Sequence, residues 1–234
     1  MSPARRPADL AETLAGFEYF EGVEAPEIER LAGLALCHEY PKNNILAYAG
    51  DPASYVFVVV EGRVKIILTN EEAREVIVSL LGPGCVFGLT GALDGGEQPG
   101  TAITVERSTI ARFSAAAFLK WTDSAPGAKD TLVRELNRRV RDLHRKIGSH
   151  ALLSARDRLL HTLMEIAGAE GEREPGNNRV TFTRPTHQEL ANRIGTSREV
   201  VSRLLADLRE AELLESDEGR VLRLPLSALI LHEE

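Results

Sequence analysis

The sequence predicts an α+β fold that consists of an N-terminal antiparallel β-roll of jelly-roll type, a long helix and a C-terminal winged helix-turn-helix. Three observations support this prediction. Short β-branched runs separated by glycine turns occupy residues 45–105, which is typical of an antiparallel barrel or roll. An apolar pattern with heptad spacing follows Pro126. Near the C-terminus, two helical segments with start signals are joined by one glycine.

Composition and charge exclude membrane-spanning and secreted classes of protein. No apolar run approaches the roughly 20 residues that a membrane-spanning helix needs, and the N-terminal MSPARRPADL lacks the apolar stretch of a secretory signal. We therefore expect a cytoplasmic protein with no membrane partner. The net charge of −7 does not exclude a nucleic-acid partner, because phosphates are contacted by a local basic face.

The N-terminal half contains the predicted roll. The first forty residues have helical spacing of apolar positions, and we expect helices there. The predicted strands that follow are Ile45–Tyr48, Tyr55–Val60, Arg63–Leu68, Val76–Leu81 and Ile103–Val105. The glycine-rich stretch Gly88–Gly100 is predicted to be a loop.

The long helix carries a narrow apolar seam with charged residues on both sides. The seam follows a 3-4-3-4 spacing and consists of Val133, Leu136, Val140, Leu143 and Ile147. A helix that packs into its own core with a solvated charged face is the plainer interpretation. We favour pairing with a second copy, because so narrow a seam suits a coiled coil and symmetric dimers are the commonest soluble oligomers.

A break in the helical pattern at Leu152–Ser154 indicates a joint. After it the sequence predicts a helix over Arg156–Ala167, a loop over Gly168–Asn178 and a short strand over Val180–Thr183.

The most informative segment begins with Thr186, which forms a predicted capping box with Glu189. Gly195 is placed where that helix must end in left-handed geometry. Thr196 and Glu199 predict a second capping box, so that a new helix begins at once. A β-hairpin then follows, made of Leu213–Leu214, the turn Asp217–Arg220 and Val221–Leu224, and it forms the wing.

In a helix-turn-helix the second helix enters the major groove and reads bases with its N-terminal residues. Arginine can donate two hydrogen bonds to guanine, and glutamate can accept from cytosine. The alternative is a helical hairpin with a solvated charged face, which the combination of caps, glycine turn, arginine pair and wing disfavours. The residues predicted to bind double-stranded DNA are Arg198, Glu199, Ser202, Arg203, Ser197, Thr196, Thr186 and Gln188.

Thr186–Leu205 closely resembles the helix-turn-helix of the CRP/FNR family of bacterial regulators. Ser197-Arg198-Glu199 with Arg203 matches the family's base-reading pattern, and Glu199 with Ser202-Arg203 matches the version used in the FNR branch. The likeness covers nearly the whole chain. Landmarks of the family's cyclic-nucleotide-binding roll occur in order at Cys37-His38-Glu39-Tyr40-Pro41, Gly50-Asp51, Tyr55–Gly62, Gly82-Pro83-Gly84 and Phe87-Gly88.

The resemblance implies a transcriptional regulator that is not an enzyme. It implies an effector roll over residues 1–125, a dimerisation helix and hinge over 126–153, and a winged helix-turn-helix over 154–234. It further implies a homodimer, a palindromic site with a TGA or GTGA core, and contact with RNA polymerase. Two rival functions are a signalling module that does not bind DNA and an enzyme. The C-terminal motif opposes the first, and no catalytic or phosphate-loop motif supports the second.

The effector cassette departs from the family pattern. Cyclic-nucleotide members carry a glutamate where this chain has Leu89, and an Arg-Ser pair where it has Pro99-Gly100-Thr101. On the long helix, Leu143 and His144 replace a polar pair. A buried phosphate without a cation is costly, so we expect that cyclic AMP does not bind. The candidate effector pocket consists of Gly88, Leu89, Thr90, Gly91, Thr101, Ala102, Leu143 and His144.

What replaces cyclic AMP stays open at this point. The glycine stretch could hold another ligand through backbone N–H groups, or the pocket could be degenerate. No cofactor is predicted. Haem is an alternative with His38, Cys37, His144 and Cys85 as candidate ligands, and thiol redox sensing through Cys85 is another. Two cysteines cannot supply a four-thiolate cluster, and we expect no metal site.

Overall fold

A computed structural model of the chain describes residues 7–173, 179–216 and 221–225. The fold is α+β, with antiparallel sheets, one long helix and a C-terminal helix-turn-helix, as the sequence predicts. The chain divides into two compact units between Arg141 and Asp142.

The N-terminal unit opens with helices α1 (Pro7–Ala15) and α2 (Ala25–Ala32), separated by a 3₁₀ turn (Glu18–Phe20). The helical prediction for the first forty residues is wrong at its end, because Leu36–Tyr40 forms strand β1. All five residues of β1 pair antiparallel with a strand more than sixty positions later, which no local apolar spacing reveals.

Eight strands form two four-stranded antiparallel sheets with strand orders β1-β8-β3-β6 and β2-β7-β4-β5. The five predicted strands are confirmed within two residues at their ends, and β1, β6 and β8 are additional. The remaining bounds are β2 Ile45–Ala47, β3 Tyr55–Glu61, β4 Val64–Thr69, β5 Glu75–Leu81, β6 Val86–Phe87, β7 Thr101–Thr104 and β8 Ser108–Ser114.

Strand β3 is buried on both faces and so divides two hydrophobic cores. Val56 and Val58 pack with the helices on the outer side of the first sheet and form part of what we call the outer core. Phe57 and Val59 fill the interior of the roll. Alternate residues of a strand point to opposite faces, so the continuous apolar run of this strand serves both cores.

The glycine-rich stretch is not a plain loop, which corrects the prediction for Gly88–Gly100. It contains helix α3 (Leu89–Asp94), bounded by Gly88 at φ 82° and Gly95 at φ 68°. Two left-handed glycines start and stop the turn of helix, and burial of Leu89 in the outer core holds it in place. Helices α4 (Ala115–Ser124) and α5 (Ala128–Leu152) follow β8.

The C-terminal unit is a three-helix core covered by a sheet of order β11-β12-β10-β9. Its elements are α6 Ala155–Glu170, β9 Glu172–Arg173, β10 Arg179–Thr183, α7 His187–Ile194, α8 Arg198–Glu210, β11 Glu215–Ser216 and β12 Val221–Pro225. The predicted break between the two helices at Leu152–Ser154 is confirmed, and the Ser154 hydroxyl caps α6.

Two predicted loops of this unit lie partly outside the described residues. The loop predicted from Gly168 is shorter than expected, because α6 continues to Glu170 and β9 follows; residues 174–178 lie outside the described part of the chain. In the wing hairpin, the strand predicted over Val221–Leu224 is confirmed within β12, which pairs with β11. Its first strand is Glu215–Ser216 and not the predicted Leu213–Leu214, because the chain is still turning out of α8 at those leucines. The predicted turn, Asp217–Arg220, lies outside the described residues. Over the described ranges, no helix combines the length and apolarity that crossing a bilayer requires.

Candidate DNA-binding surface and effector segment

Helix α7 starts with the predicted capping box. The Thr186 hydroxyl accepts from the backbone N–H of Glu189 at 3.2 Å, and the Glu189 carboxylate accepts from the backbone N–H of Thr186 at 2.8 Å. The reciprocal bonds satisfy helix N–H groups that would otherwise lack a partner. The first helix of the motif is therefore anchored by local sequence.

The turn between the two helices depends on Gly195, which adopts φ 65°. The N–H of Thr196 bonds to the carbonyl of Ala191 at 3.0 Å. The second capping box predicted from Thr196 and Glu199 is wrong, because Thr196 is taken up by this turn. The N-cap of α8 is Ser197, which has extended backbone angles and accepts from Val200 N–H.

The outward side of α8 carries the residues predicted to read bases. Its inward side is buried at Val201, Leu205 and Leu208, which leaves the opposite side free. Four of the predicted DNA-binding residues on this helix are exposed: Arg198, Glu199, Ser202 and Arg203. Ser197 and Gln188 are also exposed, whereas Thr186 and Thr196 are half-buried.

The carboxylate of Glu199 is held in its ionised form. Its own backbone N–H and the Ser197 hydroxyl both hydrogen-bond to it, and these bonds lower the pKa of Glu199. An ionised carboxylate is a pure acceptor, as contact with the N4 amine of cytosine requires.

A shallow cleft lies at the start of α7 and extends to the start of α8. It is lined by Arg184, Thr186, His187, Gln188 and Arg198. The His187 ring is fixed against α8, because its Nδ1 lies 2.7 Å from the Ser202 hydroxyl oxygen. Sequence reasoning missed Arg184 and His187, although their positions next to the capping threonine were a signal that they flank the motif.

Arg158 on α6 connects the joint to the helix-turn-helix, and sequence reasoning missed it too. Its Nε donates to the Ile194 carbonyl at 3.0 Å, and its Nη1 donates to the Leu153 carbonyl at 2.8 Å. The joint after α5 and the last residue of α7 are thus held by one guanidinium. His150 lies against the same turn, since a Cβ at Gly195 would be 3.1 Å from its Nε2.

Most of the apolar seam of α5 is exposed in the part of the chain that the structure describes. Exposed fractions are 55% for Val133, 49% for Val140, 54% for Leu143 and 65% for Ile147, while Leu136 is half-buried. A different face of α5 packs on the N-terminal unit through Ala128, Thr131 and Glu135. The seam is therefore not the face by which α5 joins its own core, contrary to the plainer interpretation of the pattern.

Arg139 joins α5 to the strand that leads into the glycine-rich segment. Its Nε pairs with Glu135 at 2.7 Å, and its Nη2 donates to the carbonyl of Val86 in β6. Glu135 also pairs with Arg138. One guanidinium therefore connects the backbone at Val86 to the long helix.

The candidate effector segment is closed on itself. Leu89 has no exposed surface and packs in the outer core, and Ala102 is buried. The Thr101 hydroxyl accepts from Ala49 N–H at 3.1 Å. The other members are Gly88, half-buried, Thr90, exposed, and Gly91, buried, while Leu143 and His144 are exposed on α5.

Backbone N–H groups of the glycine-rich segment, which were candidates for anion binding, form hydrogen bonds within the protein. Gly96 N–H bonds to the Gly91 carbonyl at 2.9 Å, and Gln98 N–H bonds to the Asp51 carbonyl at 2.8 Å. Gly91 is required by close approach, because a Cβ there would lie 2.4 Å from the Glu97 carbonyl oxygen. Gly91 is therefore needed for the fold of this segment. Residues 88–100 also contain two acidic side chains and no lysine or arginine, so the segment itself offers no cation to a phosphate.

The two candidate haem ligands on β1, Cys37 and His38, lie on opposite faces of the strand. Cys37 is buried in the outer core, while its neighbour His38 is exposed, as alternation along a strand requires. Burial raises the pKa of the Cys85 thiol. A smaller thiolate fraction makes a thiol less reactive, which weighs against redox sensing at Cys85.

Comparison with known proteins supports the same architecture. Residues 37–124 match the cyclic nucleotide-binding domain, and residues 157–230 match the Crp-like helix-turn-helix domain. The CRP-like cAMP-activated global transcriptional regulator of Mycobacterium tuberculosis is 28% identical over 92% of this chain and 99% of its own length.

Solved structures agree. A c-di-GMP responsive global regulator, CLP, of Xanthomonas campestris superposes with a TM-score of 0.74 at 26% identity, covering 86% of this chain and 99% of the other. The catabolite activator protein of Thermus thermophilus is 27% identical with a TM-score of 0.52, covering 92% and 96%.

Proposed function

Because this chain belongs to the CRP/FNR family of transcriptional regulators, we propose that it binds a palindromic DNA site as a homodimer under control of an effector other than cyclic AMP. The similar proteins of Mycobacterium tuberculosis and Xanthomonas campestris are global regulators and not enzymes. We further propose that it acts in the cytoplasm, where chromosomal DNA is accessible, and that it contacts RNA polymerase, as the resemblance implies.

The observation that carries the proposal is the exposed face of α8. Arg198, Glu199 and Arg203 project from a helix whose other side is anchored in the core, and its N-terminus is fixed by the Gly195 turn. The guanidinium of arginine can donate two hydrogen bonds to O6 and N7 of guanine, and an ionised glutamate can accept a hydrogen bond from the N4 amine of cytosine. This combination supports recognition of G·C steps, such as those of a TGA or GTGA half-site.

Selection from random-sequence DNA with the full-length protein tests this function. We expect enrichment of an inverted repeat whose half-sites lie about 34 Å apart, one turn of the duplex, since two symmetric helices must both reach major grooves. Footprinting of the enriched sequence should protect both half-sites. If the selection enriches no sequence from the pool, the result would instead support the rival function, a signalling module that does not bind DNA.

Dimerisation is supported by the uncovered seam on α5. The seam residues are apolar and exposed, while arginines and acids lie beside them, which is the arrangement of a short coiled coil. A second copy would bury this strip and give the assembly the two-fold symmetry that matches a palindromic site.

An effector would act on α8 through two side-chain links. Arg139 connects β6, next to the glycine-rich segment, to α5 in the N-terminal unit. Arg158 connects the joint to the end of α7 in the C-terminal unit. We propose that displacement of the segment alters the pairing of α5 helices and thereby the separation of the two α8 helices.

Cyclic AMP is not expected to be the effector. A segment with two carboxylates, no cation and a buried Leu89 cannot neutralise a phosphate, and an uncompensated buried charge costs several kcal/mol. Relatives of this fold are described as cAMP-activated and as c-di-GMP responsive, so effector chemistry varies among them.

Titration calorimetry with cyclic AMP checks this expectation. We predict no heat of binding up to about 1 mM ligand, because loss of several kcal/mol removes micromolar affinity. The same preparation must bind its selected DNA, which shows that it is folded and active. A dissociation constant in the micromolar range would contradict the prediction.

A further inference from the structure

His187 lies at the edge of the candidate DNA surface but was not among the predicted contacts. It is the first residue of α7 and lines the cleft together with Arg184 and Arg198. Its Nδ1 contacts the Ser202 hydroxyl at 2.7 Å, so the ring touches a residue predicted to read bases.

The surroundings of His187 are strongly basic. The charged residues that act on the ring are Arg184 ahead of α7 and Arg198 and Arg209 on α8. The same two helices also carry Glu189, Arg193, Glu199 and Arg203. The Glu189 carboxylate is already engaged with Thr186. Partial burial first, and then Arg184, Arg198 and Arg209, lower the pKa of His187. In the protein without DNA the ring is therefore mostly neutral near pH 7.

We propose that His187 binds a backbone phosphate of the DNA site and takes up a proton from solvent as the complex forms. This inference rests on the proposed function, since it concerns the same surface. A phosphate placed in the cleft brings negative charge to the point where three arginines now repel a proton. The phosphate then stabilises the imidazolium form, which the nearby arginines destabilise in the free protein.

Protonation fixes the direction of the hydrogen bond between His187 and Ser202. In the imidazolium both ring nitrogens carry hydrogen. Nδ1–H then donates to the Ser202 oxygen, and Nε2–H is available to the phosphate. In this arrangement the Ser202 oxygen accepts from the ring, and its hydroxyl hydrogen can point to a base acceptor in the groove.

The sign of the linkage follows from the two states. Burial and the nearby arginines lower the pKa of His187 in the free protein. The proposed phosphate contact raises this pKa in the complex, so binding would consume a proton. DNA affinity is therefore greatest below the free-state pKa and falls as the pH rises through the pKa of the complex. One linked proton limits the slope to about tenfold in affinity per pH unit.

Fluorescence anisotropy of the full-length protein on its selected DNA, between about pH 6 and about pH 8 at fixed ionic strength, tests the inference. We expect affinity to weaken about three- to tenfold per pH unit as the pH rises. His187→Gln should bind weakly with no slope, and His187→Lys should bind tightly with no slope. His161→Gln, at a half-buried position on α6, is the matched histidine control and should keep the wild-type slope.

Calorimetry in buffers of different ionisation enthalpy should give uptake of up to one proton for the wild type and none for His187→Gln. If the wild type binds DNA tightly with an affinity that does not depend on pH, the inference about His187 is wrong and the proposed function stands. The same holds if the pH dependence persists in His187→Gln. Failure to bind DNA at every pH overturns the proposed function instead. Thermal unfolding of each variant shows whether the fold is retained.

Discussion

Replacing Arg203 with alanine is expected to weaken binding to the selected DNA by about 1–3 kcal/mol, a loss of roughly 5- to 150-fold. Arg203 is exposed one turn into α8, and its guanidinium can form two parallel hydrogen bonds with guanine. The loss should be confined to sites with the cognate guanine, so that the variant binds mutated and intact sites alike. Gel shifts with the intact site and single-base substitutions measure both effects.

Two matched variants separate base reading from charge. Arg203→Lys keeps the positive charge but lacks the planar fork, so it should retain binding to phosphates and still lose discrimination at the guanine. Glu210→Gln, in the last turn of the same helix, should leave both affinity and preference near wild type. If Arg203→Ala changes neither affinity nor sequence preference, Arg203 does not read a base.

Placing a charge in the α5 seam should have a still larger effect. In Val140→Asp, a symmetric pairing would bring two carboxylates together inside an apolar strip, which costs several kcal/mol. We expect the variant to be monomeric and to lose roughly 100-fold or more in affinity for the palindrome, because each half-site must then be bound independently. Binding to an isolated half-site should be unchanged.

Analytical ultracentrifugation and anisotropy measure these two outcomes. Val140 is 49% exposed in the chain, so the protomer itself should fold and melt close to wild type. Arg141→Glu changes the charge by more, one residue away from the seam, and should remain dimeric. A dimeric Val140→Asp protein with full affinity would show that the copies do not meet along this strip.

The sequence alone predicted the elements whose signals are local. Thr186 and Glu189 lie three residues apart and cap each other within one helical turn, and Gly195 stops α7 where left-handed geometry is needed. The apolar side of α8 follows from its helical period, so the exposed positions of Arg198 and Arg203 followed as well. The seam of α5 was predicted in the same way.

The tertiary structure decided what depends on distant partners. Strand β8 mixes polar and apolar residues without a regular alternation, and it forms because it pairs with β1 on one side and β3 on the other. Arg139 finds the Val86 carbonyl, Arg158 the Ile194 carbonyl and His187 the Ser202 hydroxyl only after packing brings separate elements together. Periodicity and caps act within a few residues, whereas these contacts join chain segments whose proximity is a consequence of the folded core.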